Sequence, residues 1–301
     1  MDDDAIVLDN LTKTYGSRRG LAGLDLRVHT GEVLGYIGPN GAGKSTTIRL
    51  LLDLIRPTAG HIRVLGLDPR ADAVALRRRV GYLPGDFTVD GRQTVRSCLR
   101  FLAGLRGGRP TARVDALAER LDLDQSARIK SLSKGNRQKV GLVQAFMHEP
   151  ELLILDEPTS GLDPLVQQTF LEMVTEAANR EATVFMSSHV LAEVQAVADR
   201  VAIIRDGHLV AIDTVTALRS TAVRTVEITF AEPVTATEFA DVPGLDELTV
   251  TGTVLRGRLT GSPDALLRAA TSRHTVTGIL ATEPALEELF HTYYAGADRA
   301  V

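Results

Sequence analysis

The residues best suited to chemistry begin with a glycine-rich octet, Gly38–Ser45, which matches the pattern G-x-x-x-x-G-K-[ST]. The octet follows the apolar run Val33–Ile37 and precedes a helical pattern over 46–54. Glycines let successive backbone N–H groups point at phosphate oxygens, and a helix N-terminus adds positive partial charge. Lys44 would reach the outer phosphates of a nucleoside triphosphate, and Ser45 would offer a hydroxyl to Mg²⁺. The octet therefore predicts a nucleotide site. From the motif alone, a glycine turn that only closes a strand–helix corner is the alternative.

Two adjacent carboxylates form the second candidate for chemistry. Asp156 and Glu157 follow the apolar run Leu152–Leu155, which is typical of a buried strand. Ligands of open α/β sheets bind beyond the carboxyl ends of the strands, where this pair would lie. Asp156 could hold Mg²⁺ through water, and Glu157 could polarise a water for attack on the terminal phosphate. An isolated Asp-Glu pair would more simply cap a helix; together with the octet upstream, the pair predicts hydrolysis.

The elements that must position these residues alternate between strand and helix from residue 1 to about 213. An Asp-Gly turn at 206–207 predicts a hairpin. Between about 86 and 148 apolar side chains recur at helical spacing, which predicts a helical insert. We expect these side chains to pack in the core of the insert. Those side chains include Cys98, Leu99, Leu102 and Leu105.

After about residue 220 a second set of strand and helix patterns begins, which predicts a small α+β appendage. Strands are predicted around 226–230 and 255–259, and helices over 264–272 and 284–294. Thr282 is a plausible N-cap for the last helix. We therefore expect a first domain over 1–219 and a second over 220–301.

Composition excludes several classes of protein. The 301 residues include 34 basic and 38 acidic side chains, for a net charge of −4, without a basic block that would suit nucleic acid. One cysteine, Cys98, excludes an internal disulfide and a cysteine zinc cage, and it fits a reducing cytoplasm. No apolar run approaches the roughly 18–20 residues of a spanning helix, and the start, Met1–Asp4, is acidic rather than basic. The expectation is a cytoplasmic protein that reaches the inner face of the membrane through a partner.

A third motif gives the chain a family resemblance. Leu132–Gln138 (Leu-Ser-Lys-Gly-Asn-Arg-Gln) lies one helix length before Asp156. With this run, the octet and the acidic pair in one order, residues 5 to about 213 resemble the ATP-binding-cassette (ABC) ATPases. The resemblance implies an α/β phosphate-loop domain with an N-terminal antiparallel β part and a helical insert, using ATP and Mg²⁺.

The resemblance also implies roles for individual residues. Glu157, His189 and Lys44 would be catalytic, and Ser45 and Asp156 would serve the metal. In the family a second subunit grips the γ-phosphate through its signature run, here Ser133, Gly135 and Asn136, and the aspartate matched by Asp163 links the two sites. Taken singly, Tyr15 is a strand-edge tyrosine, His189 a surface histidine and Ser-Lys-Gly a capping sequence. The nucleotide-binding set would be Tyr15, Gly38, Pro39, Asn40, Gly41, Ala42, Gly43, Lys44, Ser45 and Thr46.

One position departs from the family pattern. Gly85, followed by Asp86, stands where the family usually has a glutamine that senses the γ-phosphate and the membrane partner. Asp86 or a bound water would take over, or the coupling would be weaker. Both carboxylates and the histidine are retained, so an active ATPase is expected.

The resemblance implies a head-to-tail homodimer that drives a separate integral-membrane permease. A single cassette with a short appendage is similar to exporters of the daunorubicin- and bacitracin-resistance type. An importer ATPase is the closest alternative because its motor is the same. A cassette acting on ribosomes or DNA would need tandem cassettes, basic linkers or a long coiled coil, so no nucleic-acid partner is expected.

Overall fold

A computed structural model describes residues 4–16, 18–106, 111–220 and 223–282. The chain divides into two compact units, 1–213 and 214–301. Among the described residues, no helix combines the length and the apolar character that crossing a bilayer requires.

A parallel sheet forms the centre of the first unit. The spatial order of its strands is β5, β6, β7, β3, β8 and β9, and the neighbours from β5 through β8 run parallel. The central strands are buried along their whole length, as their uninterrupted apolar runs predict for a sheet covered on both faces. The strands are β3 Val33–Ile37, β5 Val80–Leu83, β6 Leu152–Asp156, β7 Thr183–Ser188, β8 Arg200–Arg205 and β9 His208–Thr214.

A three-stranded sheet lies in the same unit, in the order β2, β1, β4, with antiparallel pairing throughout. Its strands are β1 Asp4–Tyr15, β2 Arg18–His29 and β4 Ala59–Val64. This confirms the N-terminal antiparallel part. One core cluster joins the two sheets, and within it the rings of Tyr36 and Phe185 lie 5.0 Å apart.

Several helices of the first unit begin at a side-chain cap. Ser133 and Asp163 each accept a hydrogen bond from a backbone N–H in the first turn of the helix that follows. The helices are α1 Lys44–Leu51, α2 Ala73–Arg79, α3 Val95–Leu105, α4 Thr111–Arg120, α5 Lys134–Phe146, α6 Pro164–Ala178 and α7 Leu191–Val197.

The core of the helical insert differs in part from the expectation. Cys98 and Leu99 are buried, as predicted, but Leu102 is half-buried and Leu105 is 69 % exposed. Ala103 is buried instead, so the buried stripe of α3 turns away from Leu105 in the last helical turn. The prediction that Leu105 packs in the insert's core was wrong.

The second unit is a four-stranded antiparallel sheet with the order β11, β12, β10, β13. Val226, Ile228, Leu255 and Leu259 point to one face and form its core with residues of α9. Thr282 ends the last strand; the helix predicted over 284–294 lies outside the described residues. The elements are α8 Val215–Ser220, β10 Val223–Phe230, β11 Leu245–Thr251, β12 Val254–Thr260, α9 Asp264–Arg273 and β13 Val276–Thr282.

Candidate active site

The phosphate loop joins the end of β3 to the start of α1, as the octet predicts. Gly38 cannot carry a side chain there, because a Cβ atom would lie 2.3 Å from the carbonyl oxygen of Ile204. Gly43 has a φ of 117° and precedes the first residue of the helix, Lys44. The backbone therefore curls in a way that L side chains rarely adopt, and the N-terminus of α1 opens toward the loop.

Lys44 is buried, and its ammonium group is held by oxygens. Nζ donates to the carbonyl oxygens of Gly38 at 2.6 Å and Pro39 at 3.4 Å. The same Nζ lies 3.2 Å from Oε1 of Glu157. The predicted phosphate-binding lysine and the predicted water-polarising carboxylate are thus direct neighbours.

Asp156 ends β6 with a buried carboxylate that accepts two hydroxyl hydrogen bonds. Oδ1 accepts from Ser45 Oγ at 3.2 Å and from Ser187 Oγ at 2.7 Å. Oxygen donors of this kind suit Mg²⁺, which takes few protein ligands and completes its shell with water and phosphate oxygens. The part of the chain that the structure describes contains no group of three or more His, Cys, Asp or Glu side chains placed to hold a metal ion.

Glu157 and His189 meet because β6 and β7 are adjacent parallel strands, with Asp156 in register with Ser187. The Nδ1 atom of His189 lies 2.5 Å from Oε2 of Glu157. Glu157 has a φ of 49°, and its backbone N–H donates to Ser187. A non-glycine residue in this region is strained, so the surrounding contacts hold Glu157 in place.

A cleft of about 450 Å³ runs from Tyr15 along the phosphate loop to Glu157. Tyr15 is 46 % exposed at the end of β1, with Nζ of Lys13 5.1 Å from its ring centroid. The cleft is lined by Tyr15, Gly20, Pro39, Asn40, Gly41, Gly43, Lys44, Ser45, Thr46, Arg49 and Glu157.

The signature residues lie at the N-terminus of α5. The Oγ atom of Ser133 accepts from the backbone N–H of Asn136 at 3.2 Å. A Cβ atom at Gly135 would lie 2.5 Å from the carbonyl oxygen of Gly161, so the start of the helix packs tightly against the loop before Asp163. Among the described residues, those that line the cleft do not include the signature residues.

Gly85 lies beside the predicted metal ligand. A Cβ atom there would lie 3.5 Å from Oδ2 of Asp156, an ordinary contact distance. Nearby, burial raises the pKa of Tyr82 to about 12, and the negative charge of Asp156 adds to the shift. The position that lacks the family's glutamine therefore faces the carboxylate directly.

Three residues at this site were missed by the sequence reasoning. Ser187 bonds Asp156, while Thr159 and Glu193 bond each other at 2.6 Å. For Ser187 the sequence did carry a signal, because it is a serine near the end of a mostly apolar strand. Nothing in the sequence pairs Thr159 with Glu193.

Residues 21–160 match the family model described as ABC transporter. The chain is 39% identical over 226 residues to the daunorubicin resistance ATP-binding protein DrrA3 of Streptomyces coeruleorubidus, covering 73% of this chain and 71% of that protein. This chain belongs to the ABC transporter ATP-binding proteins. This ABC ATPase is also 37% identical over 206 residues to the bacitracin transport ATP-binding protein BcrA of Bacillus licheniformis, covering 66% of each chain. It is therefore an ATP-binding ATPase subunit of a transporter, which confirms the predicted family and activity.

Solved structures agree on the fold of this ABC ATPase. An ATP-binding subunit of an ABC transporter is 32% identical to it with a TM-score of 0.67, covering 71% of this chain and 92% of that one. A dimeric, post-hydrolysis ATP-binding cassette bound to ADP and phosphate is 21% identical with a TM-score of 0.65, over 70% of this chain and 98% of that one. At 21% identity, the similarity to this second structure shows the fold alone.

Proposed function

We propose that this ABC ATPase powers the export of a substrate through a separate membrane permease, by hydrolysing ATP between two copies of the chain. The observation that carries the hydrolytic part is the meeting of Lys44, Glu157 and His189 within hydrogen-bonding distance at the end of the cleft. These three residue types supply, in one place, a cation for phosphate, a general base and a polar contact for the terminal phosphate.

Each of the three side chains has a task in the proposed reaction. Lys44 neutralises charge on the outer phosphates of bound ATP, and the N–H groups at the start of α1 bind the remaining oxygens. Glu157 accepts a proton from the attacking water. His189 donates to the γ-phosphate while its other ring nitrogen is oriented by Glu157, as Nδ1 is in the structure.

Mg²⁺, when bound, would neutralise negative charge between the β- and γ-phosphates. Ser45 would ligate it directly and Asp156 through water, since both oxygens lie at the same end of the cleft. Ser187 supports this arrangement by orienting the carboxylate of Asp156.

A second copy of the chain would complete each site in a head-to-tail dimer. Ser133, Gly135 and Asn136 begin a capped helix whose N-terminus suits a phosphate, yet they do not line the cleft of their own chain among the described residues. In the dimer they would face the γ-phosphate held by the partner copy, and Asp163 would link the two sites.

Export is supported by the names of relatives, which include daunorubicin resistance, bacitracin transport and Nod factor export proteins. A groove of about 310 Å³ on the first unit, between the start of the insert and the sheet, would receive a short cytoplasmic helix of the permease. Phe87 and Leu102 line it, and the exposed Phe101 and Leu105 lie on the same helix as Leu102. Asp86 and Gly85 would couple this face to the site.

The proposal is tested by co-expressing the chain with a candidate six-helix permease, sought first in the neighbouring reading frames, and purifying the two together. Leu105→Glu should abolish association and permease-stimulated ATP turnover, because it places a charge one helical turn after Leu102, which lines the groove. Ile279→Glu, a change at an exposed apolar residue of the second unit, should leave both unchanged. Unchanged association in Leu105→Glu contradicts the docking face. Cargo that loads inside-out vesicles with external ATP supports export, whereas right-side-out vesicles that load cargo only with a solute-binding protein outside support the importer alternative.

A further inference from the structure

A carboxylate without a role in the proposed mechanism lies behind the catalytic pair. Glu193 is a half-buried residue of α7, four residues after His189. Its Oε2 atom accepts a hydrogen bond from Thr159 Oγ1 at 2.6 Å and a weaker one from Ser188 Oγ at 3.4 Å. Thr159 follows Glu157 by two residues, and Ser188 immediately precedes His189.

We infer that Glu193 is a positioning residue for hydrolysis, which holds the segment that carries Glu157 and the segment that carries His189 in one fixed arrangement. The inference rests on the proposed function, because it assigns a task within that reaction. Glu193 touches neither ATP nor the attacking water in this account; it acts through Thr159 and Ser188.

Glu193 adds a second connection to the direct Glu157–His189 hydrogen bond, at a place where both segments have left their regular strands. Glu157 has a φ of 49°, outside the conformation of the strand before it. His189 lies between β7 and α7, and among the described residues the side-chain hydrogen bonds from α7 to Thr159 and Ser188 are those of Glu193. The backbone bond from Glu157 N–H to Ser187 joins the strands below the bend but does not reach Thr159.

An ionised carboxylate in this half-buried place costs desolvation free energy unless it makes specific interactions. Burial raises the pKa of Glu193, and the charge of Glu157 raises it further, while His189 opposes the shift. Hydrogen bonds from hydroxyls to a carboxylate are stronger than neutral ones and fix direction as well as distance. A displacement of about 1 Å in a catalytic group costs up to roughly a hundredfold in rate, so a clamp at this distance has a measurable effect.

The experiment is a double-mutant cycle on steady-state ATP hydrolysis by the full chain. Glu193→Ala and Thr159→Val should each lower kcat by about tenfold, with the KM for ATP within about twofold of wild type, because the phosphate loop is untouched. The double variant should be no slower than either single variant, because both remove the same contact. Glu193→Gln and Thr159→Ser, which keep an acceptor and a donor, should retain most of the wild-type kcat.

The outcomes separate this inference from the proposed function. An unchanged kcat in Glu193→Ala, or a double variant whose loss is the product of the single losses, overturns the positioning role. Loss of MgATP binding in parallel with kcat in both Glu193→Ala and Glu193→Gln also overturns it, since a general structural role would then suffice. Wild-type chain that hydrolyses no ATP contradicts the proposed function instead.

Discussion

Glu157 and His189 are joined by a hydrogen bond, with 2.5 Å between Oε2 and Nδ1, across the ends of two neighbouring parallel strands. Because Glu157 also lies 3.2 Å from the Lys44 ammonium, one carboxylate links all three predicted catalytic residues. The arrangement depends on strand order: β6, β7 and β3 are consecutive in the sheet, and each ends at the same edge.

Replacing the proposed general base should stop turnover without stopping nucleotide binding. We expect Glu157→Gln to lower kcat by at least about a hundredfold, because an amide cannot accept the proton of the attacking water. The variant should form dimers in MgATP that persist during size-exclusion chromatography. Glu151→Gln, immediately before the start of the same strand, is the matched control and should hydrolyse ATP at the wild-type rate. A Glu157→Gln chain that stays monomeric at saturating MgATP would contradict the proposed site.

The histidine should matter for the chemical step. His189→Ala removes the partner of Glu157 and the proposed γ-phosphate contact, so kcat should fall by about tenfold to a hundredfold while KM stays within about twofold. His61→Ala is the control, since His61 is exposed on β4. Equal rates for both variants, measured by phosphate release at saturating ATP, would remove His189 from the mechanism.

Two glycines of the site should differ sharply in their tolerance of a methyl group. Gly38→Ala places a Cβ atom 2.3 Å from a backbone oxygen, so we expect a loss of about 1–3 kcal/mol in unfolding free energy. At Gly85 the same atom meets only ordinary contacts at 3.5 Å, so Gly85→Ala should stay within about 0.5 kcal/mol of wild type. Denaturant unfolding of both variants measures the difference, and a larger loss at Gly85 would show that the loop geometry is wrong.

The ion pair between Arg79 and Glu151 predicts a dependence of stability on pH. Its two hydrogen bonds, of 2.8 and 2.6 Å, hold the pKa of Glu151 below its ordinary value. A lowered folded-state pKa contributes stability above the unfolded pKa, and that contribution is lost as pH falls through the folded value. Both side chains are more than one third exposed, so the contribution should be at most about 0.5–1 kcal/mol at low salt.

The unfolding free energy of Glu151→Gln should therefore lie slightly below wild type at pH 7, and the difference should vanish as pH falls through the lowered folded-state pKa of Glu151. Arg79→Ala should lose at least as much at pH 7, because Arg79 Nη1 also donates to the carbonyl oxygen of Leu65, and adding Glu151→Gln to it should cause no further loss. A difference in unfolding free energy that grows as pH falls would contradict this role of the ion pair.

Much of the site could be predicted because its residues belong to short contiguous motifs. Gly38–Ser45 specifies a strand, a loop and a helix N-terminus by itself, and the acidic pair follows a run that only a buried strand explains. Ser187 and Glu193 could not be assigned in this way. Their partners, Asp156 and Thr159, are about thirty residues away in sequence and meet them only through strand pairing.

Two strands of the second unit were missed because few of their side chains are buried. β13 and β11 are mostly exposed, so they lack the apolar alternation that identified β10 and β12. Leu105 shows that helical spacing alone does not predict burial. A side chain at such a position is buried only if a neighbouring element covers that face of the helix. The division between the units at 213–214 lies a few residues before the expected 219–220. There β9 runs directly into α8, without a glycine or proline to mark the boundary.

The central claim is that each active site is shared between two copies of the chain, and complementation between two inactive variants tests it most directly. Lys44→Ala removes the phosphate loop's cation, and Ser133→Arg blocks the signature helix; each variant alone should hydrolyse no ATP. In a 1:1 mixture, half of the dimers combine both variants and contain one intact site, so about a quarter of the wild-type rate should return. A mixture that stays as inactive as its components, although both variants fold and associate, would contradict the shared site.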